Sequence, residues 1–151
     1  MAPVDLAALA QRVVAELAPG AIARGQTLGL DVPAGAAHVP GNEALLGALL
    51  RNLVDNALRY SPDGAEVRVA ITRTDGQVQL LVDDSGPGLS EADLARLGER
   101  FFRVLGSGQS GSGLGWSIVR RIAAAHGATV AVGRSAALGG LAVAVTWPAG
   151  D

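Results

Sequence analysis

The chain has 151 residues, no cysteine, two histidines and a formal net charge of −2, with 49% hydrophobic and only 3% aromatic residues. That length fits one domain able to bury a core without staples, and the absent cysteines exclude disulfides, thiolate catalysis and cysteine-ligated metals. The near-balanced charge carries no polybasic footprint, which argues against nucleic acid or an anionic membrane surface as partner, and the use of arginine for all twelve basic residues reads as composition bias.

No apolar run approaches the roughly 20 residues that span a bilayer and no basic-then-apolar leader opens the chain, so a soluble piece is expected. From Asp5, apolar residues Leu6, Leu9, Val13, Val14 and Leu17 recur at helical spacing, predicting a helix to about Ala18 that Asp5 caps and Pro19-Gly20 disturbs. Residues 27–32 alternate like a short strand, 33–37 are turn material, and His38 with Val39 suits a second short strand. Asn42 is placed to cap a helix running to about Tyr60, before Ser61-Pro62-Asp63-Gly64. Strands at 66–72 and 77–84 meet at Asp75-Gly76, a hairpin signal. Ser90 with Asp93 opens a short helix through Leu97. The run GSGQSGSG, 106–113, is too rich in glycine and serine to hold one shape. A helix from about Leu114 to His126, ended by Gly127, precedes strands at 129–135 and 141–147 separated by Gly139-Gly140. With neither repeat nor linker, 1–151 reads as a single domain: a lead-in at 1–41, a central part at 42–113, and a closing helix and strands at 114–151.

The stretch NLVDNALRY, 52–60, sets Asn52 and Asn56 four residues apart inside the central helix, although asparagine is a poor helix former. At about 100° per residue from Asn52, Leu45, Leu46, Leu49, Leu50, Leu53, Val54 and Ala57 fill an arc from about 20° to about 200°, and Asn56 falls inside it. An amide left there without a partner costs on the order of 1 to 3 kcal/mol. Asn52 and Arg59 lie at the margin of the arc. Two amide oxygens and a guanidinium along one edge suit a hydrated Mg²⁺ held mostly by phosphates; a polar helix edge bonded to a loop suits the same residues.

In QLLVDDSGPGLS, 79–90, alternation from Val78 through Leu80 and Val82 turns Asp84 inward and leaves Asp83 facing solvent. A buried carboxylate needs a donor, for which an adenine amino group serves, and Gly86 and Gly88 let a flat ring approach the backbone. An aspartate opening a glycine turn is the plainer alternative. In GSGLGWSIVRRIAAAHG, 111–127, glycines run into a helix whose inward positions are Ile118, Val119, Ile122 and Ala123. Free N–H groups at such a start suit phosphate, and a glycine linker feeding an ordinary helix has the same composition. No G-K-[ST] is present, so this is not the P-loop pattern. ERFFR, 99–103, gathers both phenylalanines as an anchor for one end of the glycine run. Arg100 and Arg103 flank it, placed either to reach a phosphate or to stay solvated.

Taken in order, N-x-x-x-N-A-x-R-Y, D-x-G-x-G, E-R-F-F-R and G-x-G-L-G-x-x-I-V resemble the N, G1, F and G2 boxes of the sensor histidine kinase catalytic (ATP-binding) domain, over residues 42–147. The resemblance implies the Bergerat fold: α+β, two layers, a mixed and mostly antiparallel sheet covered on one face by helices, with ATP between sheet, helices and a lid at about 104–112. ATP and Mg²⁺ are the implied cofactors. It implies Asn56 on Mg²⁺ and the triphosphate with Asn52 assisting, Arg59 and Tyr60 near phosphate and ribose, and Asp84 accepting from the adenine amino group. Gly86 and Gly88 would shape that pocket, Arg103 would meet the γ-phosphate, and Gly111, Gly113, Leu114 and Gly115 would supply lid hinge and phosphate contacts.

The gyrase, mismatch-repair and heat-shock ATPases carry a glutamate where Asn52 stands, and it activates water. Asparagine cannot accept that proton, so the resemblance implies slow hydrolysis and transfer to another nucleophile. In this family the nucleophile is a histidine of a separate dimerisation domain, next to an acidic residue, and the phosphate later passes to a response-regulator aspartate. Neither His38 nor His126 has that setting. The chain is therefore expected to be the cytoplasmic catalytic part of a longer, membrane-bound sensor kinase, without direct membrane contact and unable to autophosphorylate alone. Trp116 departs from the leucine usual after G-L-G. An anti-sigma-type serine kinase and a non-catalytic nucleotide-sensing or docking domain are the alternatives within the same superfamily boxes.

Overall fold

The computed structural model describes residues 2–86 and 114–148. Asp5 closes a first strand, β1 (Ala2–Asp5), and caps the helix that follows, α1 (Leu6–Ala23). Its Oδ1 accepts from the N–H groups of Ala7 at 3.2 Å, Ala8 at 3.4 Å and Ala37 at 3.2 Å. The helix runs through Pro19-Gly20, past the stop expected there. A proline removes one helical hydrogen bond, but Ala21 is buried just beyond it and the true stop is Gly25, at φ 70°. Gln26 N–H donates to Ala21 O and Gly25 N–H to Ile22 O, the paired closure that a left-handed glycine permits.

By length and composition α1 is the one helix among the described residues long and apolar enough to cross a membrane, contrary to the expectation that no run comes close. It lies against the core through Leu6, Leu9, Ala10 and Val13, and pairs Arg12 with Glu43 and Glu16 with Arg51 on its outer side.

β2 (Thr27–Asp31) and β3 (His38–Gly41) follow, then α2 (Glu43–Arg59). Asn42 caps α2 as predicted, accepting from Leu45 N–H at 3.0 Å. β3 pairs antiparallel with β1, a strand of four residues carrying Pro3 that the sequence pattern does not announce. β4 (Glu66–Thr74) and β5 (Gln77–Asp84) form the expected hairpin, Asp75 and Gly76 both taking positive φ, 55° and 79°, as a two-residue turn requires. α3 (Leu114–Ala125), β6 (Thr129–Arg134) and β7 (Leu141–Trp147) complete the order.

The main sheet runs β2-β4-β5-β7-β6, with β2 parallel to β4 and every other neighbour antiparallel. Register places Val69 opposite Val82 and Val82 opposite Val143, and Ile71 opposite Leu80 and Leu80 opposite Val145. All six are buried beneath the helices, with Leu46, Leu49, Leu50, Leu53 and Val54 of α2 and Val119, Ile122 and Ala123 of α3. Full burial of such a Val, Leu or Ile stabilises by about 1.5–3 kcal/mol. The opposite sheet face carries exposed Arg68 and Thr72 among half-buried Ala70, Leu81, Ala142 and Ala144. This is the two-layer α+β arrangement expected. Ile118 is a correction: it is 40% exposed, and the inward stripe of α3 is Val119, Ile122 and Ala123.

One joint ties three elements together. His126 follows α3; its Nδ1 donates to Ile122 O at 2.7 Å, and its Nε2 accepts from Asn42 N–H at 3.1 Å, at the start of α2. The ring lies so close to β3 that a Cβ at Gly41 would stand 2.6 Å from His126 Cδ2 and 2.7 Å from Leu46 Cδ1. The short helix expected at 90–97, the ERFFR cluster and the glycine run at 106–113 lie outside the described residues.

Candidate functional site

α2 buries Leu46, Gly47, Leu49, Leu50, Leu53, Val54, Ala57 and Leu58, whereas Leu45 is 44% exposed. At about 100° per residue from Asn52, the covered arc therefore runs from about 60° to about 240°, rotated by about 40° from the arc expected. The rotation comes from α1, whose Leu9 Cδ1 sits 3.7 Å from where a Cβ of Gly47 would stand and so covers that side. Asn56 is consequently half-buried at the margin, not inside the arc, and Asn52 stands one turn before it on the same strip.

Asn52 Nδ2 donates to Ala48 O at 2.7 Å, which leaves its amide oxygen without a partner among the described residues. The Asn56 side chain bonds none of the described residues. Arg59 is turned toward Asp55, 2.9 Å away, and lines a cleft of about 350 Å³ between α1 and α2 with Leu17, Ala21, Gln26 and Leu58. Tyr60 caps the end of α2, its N–H donating to Asn56 O at 3.0 Å.

The alternation of β5 carries Asp84 to the helix-covered face at the strand's last residue, where it is 6% exposed. Its Oδ1 accepts from Gly86 N–H at 3.0 Å and Leu141 N–H at 3.1 Å, and its main-chain oxygen accepts from Gly140 N–H at 3.0 Å. Oδ2 accepts from none of the described residues. Burial pushes the Asp84 carboxyl above its ordinary value; the Leu141 and Gly86 N–H groups oppose this, and the charge of Asp83 adds to it.

Beside Asp84 lies Ser61, 1% exposed, whose hydroxyl has no partner among the described residues. A Cβ at Gly86 would stand 3.2 Å from Asp84 Oδ1 and 3.4 Å from Ser61 Oγ, so one glycine joins the end of β5 to the turn after α2. A half-used carboxylate and an orphaned hydroxyl facing a glycine fit the edge of an adenine, which offers an amino donor next to a ring-nitrogen acceptor. The amide oxygens of Asn52 and Asn56 fit a hard cation that takes few protein ligands. Among the described residues no three His, Cys, Asp or Glu gather into a metal cluster.

Asp83 departs from expectation. It is 7% exposed rather than solvent-facing, and accepts from Ser135 Oγ at 2.6 Å, because the turn between β6 and β7 folds over the end of β5. Ser61, Ser135, Gly140 and Leu141 are the site residues that sequence reasoning misses. Ser61 looks like turn material before Pro62, and main-chain N–H donors such as those of Gly140 and Leu141 carry no residue signature. Of the other expected residues, Gly88, Arg103, Gly111 and Gly113 lie outside the described residues, while Leu114 and Gly115 open α3. His38 is exposed on β3, and both ring nitrogens of His126 are engaged.

The family model for histidine kinase-, DNA gyrase B- and HSP90-like ATPases matches residues 41–151, most of the chain, including Asn52, Asn56, Ser61 and Asp84. The chain belongs to this ATPase family. Among curated proteins, the ATPase domain is 49% identical over 107 residues to the sensor protein QseC of Salmonella typhimurium, covering 71% of this chain and 23% of that protein. It is 38% identical over 148 residues to the sensor protein kinase PmrB of Pseudomonas aeruginosa, covering 97% of this chain and 30% of that protein. The solved mycobacterial sensor histidine kinase MprB superposes with a TM-score of 0.83 at 29% identity, covering 97% of this chain and 96% of that one. The ATPase domain is thus of the sensor histidine kinase type, an ATP-binding catalytic unit. It spans 23% and 30% of the length of these two curated relatives.

Proposed function

We propose that this domain binds ATP with Mg²⁺ and passes the γ-phosphoryl group to a histidine on a dimerisation domain outside the chain. The observation that carries the reading is that, among the described residues, Asp84 Oδ2 and the neighbouring hydroxyl of Ser61 find no partner. Asp84 Oδ2 accepts from the adenine amino group, Ser61 Oγ donates to the adjacent ring nitrogen, and Gly86 and Gly88 let the base lie against the backbone. Asn56 and Asn52 lend amide oxygens to Mg²⁺, which neutralises phosphate charge when bound. Arg59 reaches the phosphates by leaving Asp55, and exposed pairs at this helical spacing hold only about 0.3–0.5 kcal/mol. Tyr60 lies toward the ribose, Arg103 meets the γ-phosphate, and the backbone from Gly111 and Gly113 to Leu114 and Gly115 receives the phosphates at the start of α3.

In the transfer, a ring nitrogen of the acceptor histidine bonds the γ-phosphorus, the bond to the bridging oxygen breaks, and ADP leaves. No base stands on the asparagine strip to take a proton from water, since an amide is not basic, so hydrolysis is slow. The acceptor and the membrane-bound sensing part belong to the same full-length receptor, the response regulator that takes the phosphate next is an indirect partner, and the domain works in the cytoplasm.

Calorimetry with ATP in the presence and absence of Mg²⁺ tests binding; magnesium-dependent affinity is expected. Labelled ATP with a separately made, folded dimerisation domain tests transfer. Label is expected on a histidine of that domain and none on this chain. Label on a serine instead, or on neither protein, overturns the reading.

A further inference from the structure

The turn between β6 and β7 is bound to both acids at the end of β5. Ser135 Oγ donates to Asp83 Oδ2 at 2.6 Å and accepts from Leu138 N–H at 2.9 Å. Gly139 N–H donates to Ser135 O, and Ser135 N–H to Gly140 O, which folds the turn back on itself. Its far end then delivers Gly140 N–H to the Asp84 main chain and Leu141 N–H to Asp84 Oδ1. The approach is so close that a Cβ at Gly140 would collide with both Asp84 O and Asp84 Oδ1. Ser135 and Asp83 are themselves 3% and 7% exposed, so their hydrogen bond is shielded from competing water.

We propose that Asp83 and Ser135 are positioning residues that set the nucleotide-base selectivity of the site. Held by Asp83, Ser135 fixes the turn; the fixed turn supplies two of the three N–H groups that clamp Asp84. With Oδ1 held by Leu141 and Gly86, the carboxylate cannot rotate, and Oδ2 is the oxygen presented to an exocyclic amino group. The serine hydroxyl never meets the ligand. This inference rests on the reading of Asp84 as the acceptor for that amino group.

The test compares ATP with purine riboside triphosphate, which lacks only the amino group, by calorimetry on the whole domain with Mg²⁺. Wild type is expected to favour ATP by about tenfold or more, the range of a hydrogen bond to a charged acceptor. Ser135→Ala and Asp83→Ala are expected to bring the ratio within about threefold, mainly by weakening ATP, while affinity for the amino-free analogue stays within about twofold. Binding of the analogue also reports that each variant is folded. Asp83→Asn keeps an oxygen for the serine hydroxyl and is expected to keep the ratio.

A wild-type ratio near one overturns the role of Asp84 and this inference with it. A wild-type ratio that survives Ser135→Ala, or a loss of both nucleotides in parallel, leaves Asp84 in place and overturns the positioning role. A ratio lost in Asp83→Asn as well shows that charge rather than the hydrogen bond acts on Asp84, and overturns it too.

Discussion

Burial works against the charge of Asp84, and only part of that penalty is recovered through the N–H groups of Leu141 and Gly86. A carboxyl raised in the folded state binds its proton more tightly there than in the unfolded chain. Its contribution therefore favours folding below the ordinary value of 3.8 and is lost as pH rises from 3.8 through the raised value. Asp84→Asn removes that dependence. The amide oxygen can go on accepting from Gly86 and Leu141, which turns the NH₂ toward the base, where a donor would face a donor. Asp84→Asn should thus raise the Tm of the nucleotide-free domain at pH 7, by a margin over wild type that shrinks as pH falls toward 3.8, while abolishing ATP binding by calorimetry. A variant that loses stability at pH 7 would contradict the desolvation argument.

At the scale of elements, the ends of α2 decide where the site residues stand. Arg24 and Gln26, from the connection between α1 and β2, gather the carbonyls at the far end: Leu58 O accepts from Arg24 Nη1 at 3.0 Å and Gln26 Nε2 at 2.8 Å. Ser61 O accepts from Arg24 Nη2 at 3.2 Å and Gln26 Nε2 at 3.1 Å. Cations and donors there also complement the helix dipole. Gln26→Leu should cost about 1–3 kcal/mol in denaturant unfolding, since it strips a buried donor from several carbonyls. It should also weaken ATP binding, because Ser61 loses an anchor.

At the near end of α2, Gly41→Ala drives a methyl into His126 and Leu46. An overpacking cost of about 1–3 kcal/mol is expected, read as a lower urea midpoint with an unchanged slope. These element ends are poorly legible in the sequence. Pro19-Gly20 looks like a stop, yet burial of Ala21 carries α1 onward to the Gly25 closure. The rotated arc of α2 depends on where α1 packs, which periodicity within one helix cannot report.

For the whole molecule, ligand and fold are linked: Mg-ATP at a hundredfold excess over Kd should stabilise the fold by about 2.7 kcal/mol and so raise the unfolding midpoint. Chelating the metal should remove most of that gain in a thermal melt. The architecture itself is largely legible, because alternation along 66–84 and 141–147 and the stripes of α1, α2 and α3 are strong local signals of which face is covered. Asn42, Asp75-Gly76 and Gly127 mark their boundaries through chemistry that acts within a few residues. β1 escapes notice because four residues with a proline have too little pattern. The Asp83–Ser135 bond escapes because it joins residues far apart in the chain, as does the orphaned state of Ser61, which only the assembled fold creates.

The His126 joint has a mechanical corollary. A helix pinned at its C-terminal end to the first turn of its neighbour can swing about that point but cannot slide along its own axis. Whatever a triphosphate does at the opposite end of α3 should reach the rest of the domain as a tilt, with the Asn42 amide exchanging its hydrogen at the same slow rate in the free and loaded states.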